Sequence, residues 1–541
     1  MGFRVLLLCV CVGLAGGGRM ALGQPAPATQ PAAERVAATQ GVLEADGAEQ
    51  PRYFIVLMDG RKAGWAVFGR AVVESGKERL IRSEQHVVLR VARMGEGAAM
   101  QMRVASEERA DGTPLSFSMS VDAGAFSMGQ EGRFLDREGR RVVRLQAMSR
   151  GRATGEPSEV EVPEGLVGMD AAAERVRAAY LAGGKQVSLV SLSPGASEVP
   201  WGTVVAKFEG EEEVEQLGVR RLLSRVRLEQ EMGGMELVTQ SWVDAAGQDQ
   251  VVRLGIGGME LELVAASEAL AKADFTPAEM MVQTLIRPEG SVAGLEGRDE
   301  VVYELRAVRA GDRVARPVDT GMQTVEALAD GSGWRVRVRR GAPRAAALEG
   351  VERERSLASS PMIDHATLAV AALARRLAGV DGEVGGEAGE GGAEKGVGGL
   401  VGRLTAGVGK YITKKDLSRA FDSAGTVVQT RQGDCTEHAV LLAAVLRAHG
   451  IPSRVAMGLV FVERIGDRRD VFGYHAWTQA WVDGAWHDLD ATRPDQRPLG
   501  VGYICLSASA LTADGFFSEL LSPASAVGNL RIRIVEGGGG D

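Results

Sequence analysis

Residues 435 to 449 read CTEHAVLLAAVLRAH, a run of strong helix formers that is apolar on nearly every side. A helix with no face for water cannot lie on a surface, so this segment demands a domain built around it. Its ends are marked. Gly433-Asp434 supplies a turn and a candidate N-cap, Gly450 suits the left-handed residue after the last turn, and Pro452 prevents continuation. The first helical position is Cys435, in a chain of 541 residues with only 4 cysteines. A cysteine there meets unpaired backbone N–H groups and the positive end of the helix dipole. That setting favours thiolate over thiol and offers donors to an oxyanion, which is what a nucleophilic cysteine requires. The plainer alternative is one more small buried residue.

A nucleophilic thiolate needs an imidazole partner, and the chain has 6 histidines. His86 lies among strand-like runs, His365 precedes a helical pattern, and His438 and His449 ride on the cysteine helix itself. His475 and His487 remain, both within GYHAWTQAWVDGAWHDLDAT. In that stretch Asp483-Gly484 is a two-residue hairpin signal. With those two residues as the loop, Val482 faces Ala485, Trp481 faces Trp486 and His475 faces Thr492. Alternation then sets His475, Trp477, Gln479 and Trp481 on one face with Trp486, Asp488 and Asp490. His487 points the other way. Asp490 becomes the diagonal neighbour of His475, about 7 Å away at Cβ or somewhat less, whereas Asp488 is two residues too far along. An unbulged loop selects His475 with Asp490.

At these residues the chain resembles the bacterial transglutaminase-like branch of the papain-like thiol enzymes. GDCTEHAVLLAAVLRAHGIPSRVAMGLVF, YHAWTQAWV and WHDLDAT carry the likeness, which spans about residues 360–510 and is faint before Thr430. It implies an α+β fold, a papain-like core in which the helix carrying the cysteine packs on an antiparallel sheet. It also implies a catalytic triad of Cys435, His475 and Asp490. Candidates for a substrate cleft are Trp477, Trp481 and Trp486 beside His475, and Glu437 and His438 near the cysteine. Gln429 joins them, six residues upstream, where papain-like proteases keep an oxyanion glutamine. Each has a plainer reading as cross-strand aromatic packing, helix capping or solvated surface.

The activity implied is thioester acyl transfer on peptide or glutamine amide bonds, with hydrolysis favoured over cross-linking. The competing class is a non-catalytic cell-envelope binding protein that keeps the fold as a scaffold. No cofactor is expected. Animal cross-linking relatives hold calcium, but no EF-hand or tight acidic cluster here argues for calcium or another metal.

The rest of the chain frames that domain. Its length suggests two to four domains. Arg4, the apolar run VLLLCVCVGLA and Ala21-Leu22-Gly23 read as an export signal over residues 1–23, cleaved near Gly23. Cys9 and Cys11 would leave with it, and nothing else is long and apolar enough to span a membrane. Cys435 and Cys505 then remain, either free or paired in a disulfide that masks the thiol. Residues 24–50 read as a disordered Ala/Pro/Gln linker. Residues 51–345 alternate as short strands broken by Gly and Asp, a β-rich region of one or two domains, either a sandwich or an open barrel. This region is expected to meet cell-envelope components. Arg335, Arg337 and Arg339 share one strand face, more simply a solvated face than an anion site. The transglutaminase-like domain is expected over 360–541, with a Gly/Glu-rich insertion at 380–399. A formal net charge of -9 argues against nucleic acid as a general partner and leaves a protein or peptide substrate as the expected one.

Overall fold

The computed structural model describes residues 48–535, apart from 77, 94–95, 124–125, 150, 195–198, 233–234, 257–258, 278, 280–283, 310–313, 342, 380–396, 416–421, 496–498 and 513–525. The expected export signal, the linker as far as residue 47 and most of the 380–399 insertion lie outside the described residues. The chain divides into two compact units between residues 278 and 279.

The first unit is a single antiparallel sheet of 14 strands. Its first arm is a meander of β1 (Arg52–Met58), β2 (Arg61–Ser75), β3 (Glu78–Arg93), β4 (Glu96–Arg109), β5 (Pro114–Ala123), β6 (Phe126–Arg137), β7 (Arg140–Ser149) and β8 (Arg152–Glu161). Helix α1 (Met169–Leu181) intervenes. The second arm is β9 (Gln186–Leu192), β10 (Trp201–Gln216), β11 (Val219–Met232), β12 (Met235–Val243), β13 (Asp249–Ile256) and β14 (Met259–Ala266), followed by the short α2 (Glu268–Lys272). Strands β1 and β14 pair, with Ile55 opposite Val264, so the two runs of strands are arms of one sheet. The segment after β8 also runs along β9, where the Val167 N–H donates to Val190 O at 3.0 Å. At Asp59-Gly60 both φ angles are positive, 47° and 75°, the tight hairpin turn that this dipeptide favours.

The second unit holds two four-stranded antiparallel sheets. One is built from β15 (Glu300–Ala307), β16 (Gln323–Ala327), β17 (Gly333–Arg339) and the last strand, β22 (Leu530–Val535), in the order β16-β17-β15-β22. The other has β18 (Ser453–Ile465), β19 (Arg468–Val482), β20 (Ala485–Leu489) and β21 (Tyr503–Ser509), in the order β20-β19-β18-β21. One apolar cluster joins Tyr303, Leu305, Val336 and Ile532 of the first sheet to Leu459, Phe472 and Ile504 of the second. This corrects the expected domain limits. The strand-like stretch from 300 to 339 belongs to the C-terminal unit, because β22 needs β15 as its neighbour and the two sheets share a core.

Among the described residues the unit also has the α-helices α3 (Gly350–Leu357), α4 (Leu368–Ala378), α5 (Val397–Tyr411), α6 (Ala424–Thr430) and α7 (Cys435–Ala448). As its composition demands, α7 is buried from Glu437 to Arg447. The hydroxyl of Thr478 on β19 donates to Ala439 O at 3.0 Å, and that of Ser453 on β18 to Ala443 O at 2.9 Å. These bonds register the helix on the sheet. Among the described residues no helix is long and apolar enough to cross a membrane.

Candidate active site

The N-terminus of α7 is built by a capping box. Asp434 is the N-cap and accepts the Thr436 N–H at 2.8 Å, while Glu437 reaches back to accept the Asp434 N–H at 2.8 Å. Glu437 also accepts the Asp422 N–H at 3.0 Å, and its side chain is sealed in at 0% exposure. Burial, aided by the charge of Asp434, pushes its carboxyl well above the usual range. Gly433 is required by this arrangement, since a Cβ there would lie 2.2 Å from the Glu437 side chain. The cap takes up the N–H groups of residues 436 and 437. It leaves that of Cys435 without an acceptor among the described residues.

The hairpin has the register that a two-residue loop dictates. Asp483 and Gly484 have φ of 49° and 78°, Val482 pairs with Ala485, Trp481 with Trp486, and pairing ends at Thr478 with Leu489. His475 and Asp490 thus lie just past the end of β20. There His475 Nε2 donates to Asp490 Oδ2 at 2.8 Å, which leaves Nδ1 for the other side of the ring. Cys435 is near enough to that ring for its charge to act on it. Burial alone would lower the His475 pKa, but the negative charge of Asp490 and then that of Cys435 push it up to about 10. Burial would raise Asp490, yet the His475 charge and its hydrogen bonds hold it well below the usual carboxylate range.

Two further groups grip this carboxylate. Thr492 donates its backbone N–H to Oδ1 at 2.8 Å and its hydroxyl at 2.6 Å, and the Tyr503 hydroxyl donates to Oδ2 at 2.8 Å. Neither was expected from the sequence. Thr492 had a local signal, a hydroxyl two residues after an aspartate. Tyr503 had none, for it arrives from β21. Asp488 does not reach His475. It accepts from Trp477 Nε1 and Gln479 Nε2, both at 2.7 Å, and burial raises its pKa.

Several cleft candidates are elsewhere. Glu437 is a buried cap, not a cleft wall. Trp477 is 1% exposed and packs edge-on against Tyr503, so it supports the site from within the core. Trp486 is buried, meets Trp481 edge-to-face and carries the Arg454 guanidinium 4.2 Å from its ring centroid. Trp477 stacks on the His475 ring with centroids 6.3 Å apart, while Trp481 and Trp486 are cross-strand packing. Gln429 is exposed on α6 and no hydrogen bond ties it to Cys435. The arginines of β17 are paired, Arg335 with Glu304 at 3.1 Å and both Arg337 and Arg339 with Glu300. They form a solvated, ion-paired face. Cys435 and Cys505 are both free thiols. Cys505 is buried, donates to Ser507 O at 3.2 Å, and burial pushes its pKa well up. Among the described residues no cluster of three or more His, Cys, Asp or Glu is set to hold a metal ion.

The comparisons bear on this segment. Residues 403–491 match the family model described as the Transglutaminase-like superfamily. The chain carries a transglutaminase-like domain. The superfamily is typically one of cysteine enzymes, and the matched residues include Cys435, His475 and Asp490. Among solved structures, a proposed cysteine protease from Cytophaga hutchinsonii is similar at 16% identity, covering 44% of this chain and 84% of that one, with a TM-score of 0.26. A β-barrel-like protein of unknown function from Brucella abortus aligns at 12% identity over 40% of this chain and 95% of that one, TM-score 0.30. A proposed protease from Parabacteroides distasonis aligns at 12% identity over 70% and 64%, TM-score 0.18. At such TM-scores none of them carries fold or chemistry over to this chain. A search of curated proteins returns no match.

Proposed function

We propose that the transglutaminase-like domain has a papain-like core and is a thiol acyl-transfer enzyme acting on peptide or glutamine amide bonds, and that it hydrolyses them in an exported protein. The observation that carries this reading is the His475–Asp490 pair, Nε2 to Oδ2 at 2.8 Å, with Cys435 at the start of α7 close enough for its charge to act on the ring. Cys435 Sγ attacks the carbonyl carbon as a thiolate whose proton rests on His475. The Cys435 N–H, left over by the cap, donates to the oxyanion. The C–N bond breaks, His475 passes its proton to the leaving amine, and a thioester remains. Asp490 keeps the ring's Nε2–H in place and balances the imidazolium charge. Water then forms the new C–O bond, sulfur leaves, and the water's proton returns to His475. The export signal at 1–23 supports the assignment to an extracytoplasmic compartment.

Iodoacetamide labelling of Cys435 across pH, located by peptide mass, tests the pair. Rapid labelling that persists below about pH 7 and disappears in His475→Ala is expected of a thiolate–imidazolium pair. Slow labelling with an ordinary thiol's pH dependence, the same in both proteins, would reduce Cys435 to a structural residue. Screening amide substrates with and without an added amine then separates hydrolysis from cross-linking.

A further inference from the structure

A second imidazole stands near the site and is not used by the chemistry above. His438 stands one helical turn beyond Cys435 on α7, on the neighbouring strip of helix surface. Its Nδ1 lies 2.6 Å from Asp434 O, the carbonyl that also accepts its own backbone N–H. A carbonyl oxygen only accepts, so Nδ1 carries the hydrogen and Nε2 keeps a lone pair. The residue is 8% exposed, and among the described residues Nε2 meets no hydrogen-bond donor. A ring nitrogen with a lone pair and no donor from the protein is open to accept from a water or a ligand. The charges of Asp490 and His475 both act on this ring, so it lies within electrostatic reach of the pair. Burial lowers its pKa and keeps the ring neutral, with that lone pair free.

We infer that His438 Nε2 orients the water that hydrolyses the acyl-Cys435 thioester. The inference rests on the enzyme reading and deepens it. Once the leaving amine has taken its proton, His475 is also neutral, with a bare Nδ1 beside the sulfur. A water between the two rings gives one O–H to each, which turns an oxygen lone pair towards the thioester carbon. His475 takes one proton as the C–O bond forms and the C–S bond breaks. His438 holds the other hydrogen and neither gains nor loses a proton. The products are the carboxylic acid and the thiolate–imidazolium pair, so the step balances.

The test uses the mature chain and p-nitrophenyl acetate. Acylation of Cys435 appears as a burst of p-nitrophenolate, and deacylation sets the steady rate. The amide of His438→Asn can still donate to Asp434 O but has no lone-pair nitrogen at the Nε2 position, and His438→Ala gives an independent second variant. The expected result is a retained burst, a steady rate lower by about tenfold to a hundredfold, and acetyl-Cys435 accumulating by peptide mass. Added hydroxylamine, a stronger nucleophile, should restore turnover. A burst with an unchanged steady rate would overturn the role of His438 and leave the enzyme standing. Loss of the burst in both variants would make His438 a support for Cys435 and would also overturn it. No burst in the wild type, with none distinguishable from Cys435→Ala, would remove the enzyme reading and this inference with it.

Discussion

Asp490 receives four hydrogen-bond donors from three residues, and they do not act alike. Thr492 holds Oδ1 from two residues away, while His475 and Tyr503 share Oδ2. A carboxylate so supplied stays charged in acid, and its stability contribution has a definite sign. Because the folded pKa is depressed, the contribution is present above the unfolded value and lost as pH falls through the folded one. His475 runs the other way. With a folded pKa raised to about 10 from 6.5, its contribution is full below 6.5 and lost as pH rises through about 10. Tyr503→Phe removes one donor to the charged oxygen and should cost about 1.5–3 kcal/mol in urea unfolding. It should also raise the Asp490 pKa, so the acid limb of Cys435 labelling moves to higher pH. An acid limb identical to that of the wild type would take Tyr503 out of the site. Cys435, His475 and Asp490 were legible because helix-end chemistry and hairpin alternation are local. Tyr503 was not, because β21 reaches Asp490 only through the sheet order.

At the scale of elements the same contrast separates α7 from α1. The start of α7 is written in Gly433, Asp434 and Glu437, adjacent in sequence, and its apolar surface announces burial. Helix α1, over MDAAAERVRAAYL, lies among strand-like runs. Its N-cap is Gly168, with no side-chain cap. The missing acceptor comes from β4, where Glu108 takes the Ala171 N–H at 2.8 Å and the Asp170 N–H at 3.2 Å. Gly168 is needed for this approach, since a Cβ would stand 1.8 Å from a Glu108 oxygen. A cap borrowed from another strand leaves no pattern near the helix it starts. Burial, with the nearby charge of Asp170, pushes Glu108 up to about 8 from 4.5. A buried carboxyl raised in this way is a burden when ionised. The folded state holds more protons than the unfolded one between 4.5 and about 8, so stability falls as pH rises through that window. Thermal melts of residues 48–278 should show this decline, and Glu108→Gln should flatten it. An equal slope in the variant would mean that Glu108 is ionised throughout.

On the scale of the whole molecule, alternation was a sound guide to strands and a poor guide to which unit owns them. The stretch from 300 to 339 carries the same period as the strands before it. Only non-local pairing assigns β15 to the C-terminal unit, where its partner β22 lies at the other end of the chain, Tyr303 opposite Ile534. The consequence can be tested with two fragments. Residues 279–541 retain both four-stranded sheets and the shared core, so they should be monodisperse and label at Cys435 at the full-length rate. Residues 346–541 begin where alternation ends, and they lose β15, β16 and β17. That cut strips β22 of its neighbour and uncovers Leu459, Phe472 and Ile504, which are 0% exposed in the structure. An unpaired edge over an apolar patch is a recipe for association. Size-exclusion chromatography should therefore find the shorter fragment aggregated, with Cys435 labelling slow and heterogeneous. A monomeric shorter fragment with full-rate labelling would show that the β15–β17 strands are an appendage. The thiol site would then need nothing before residue 346.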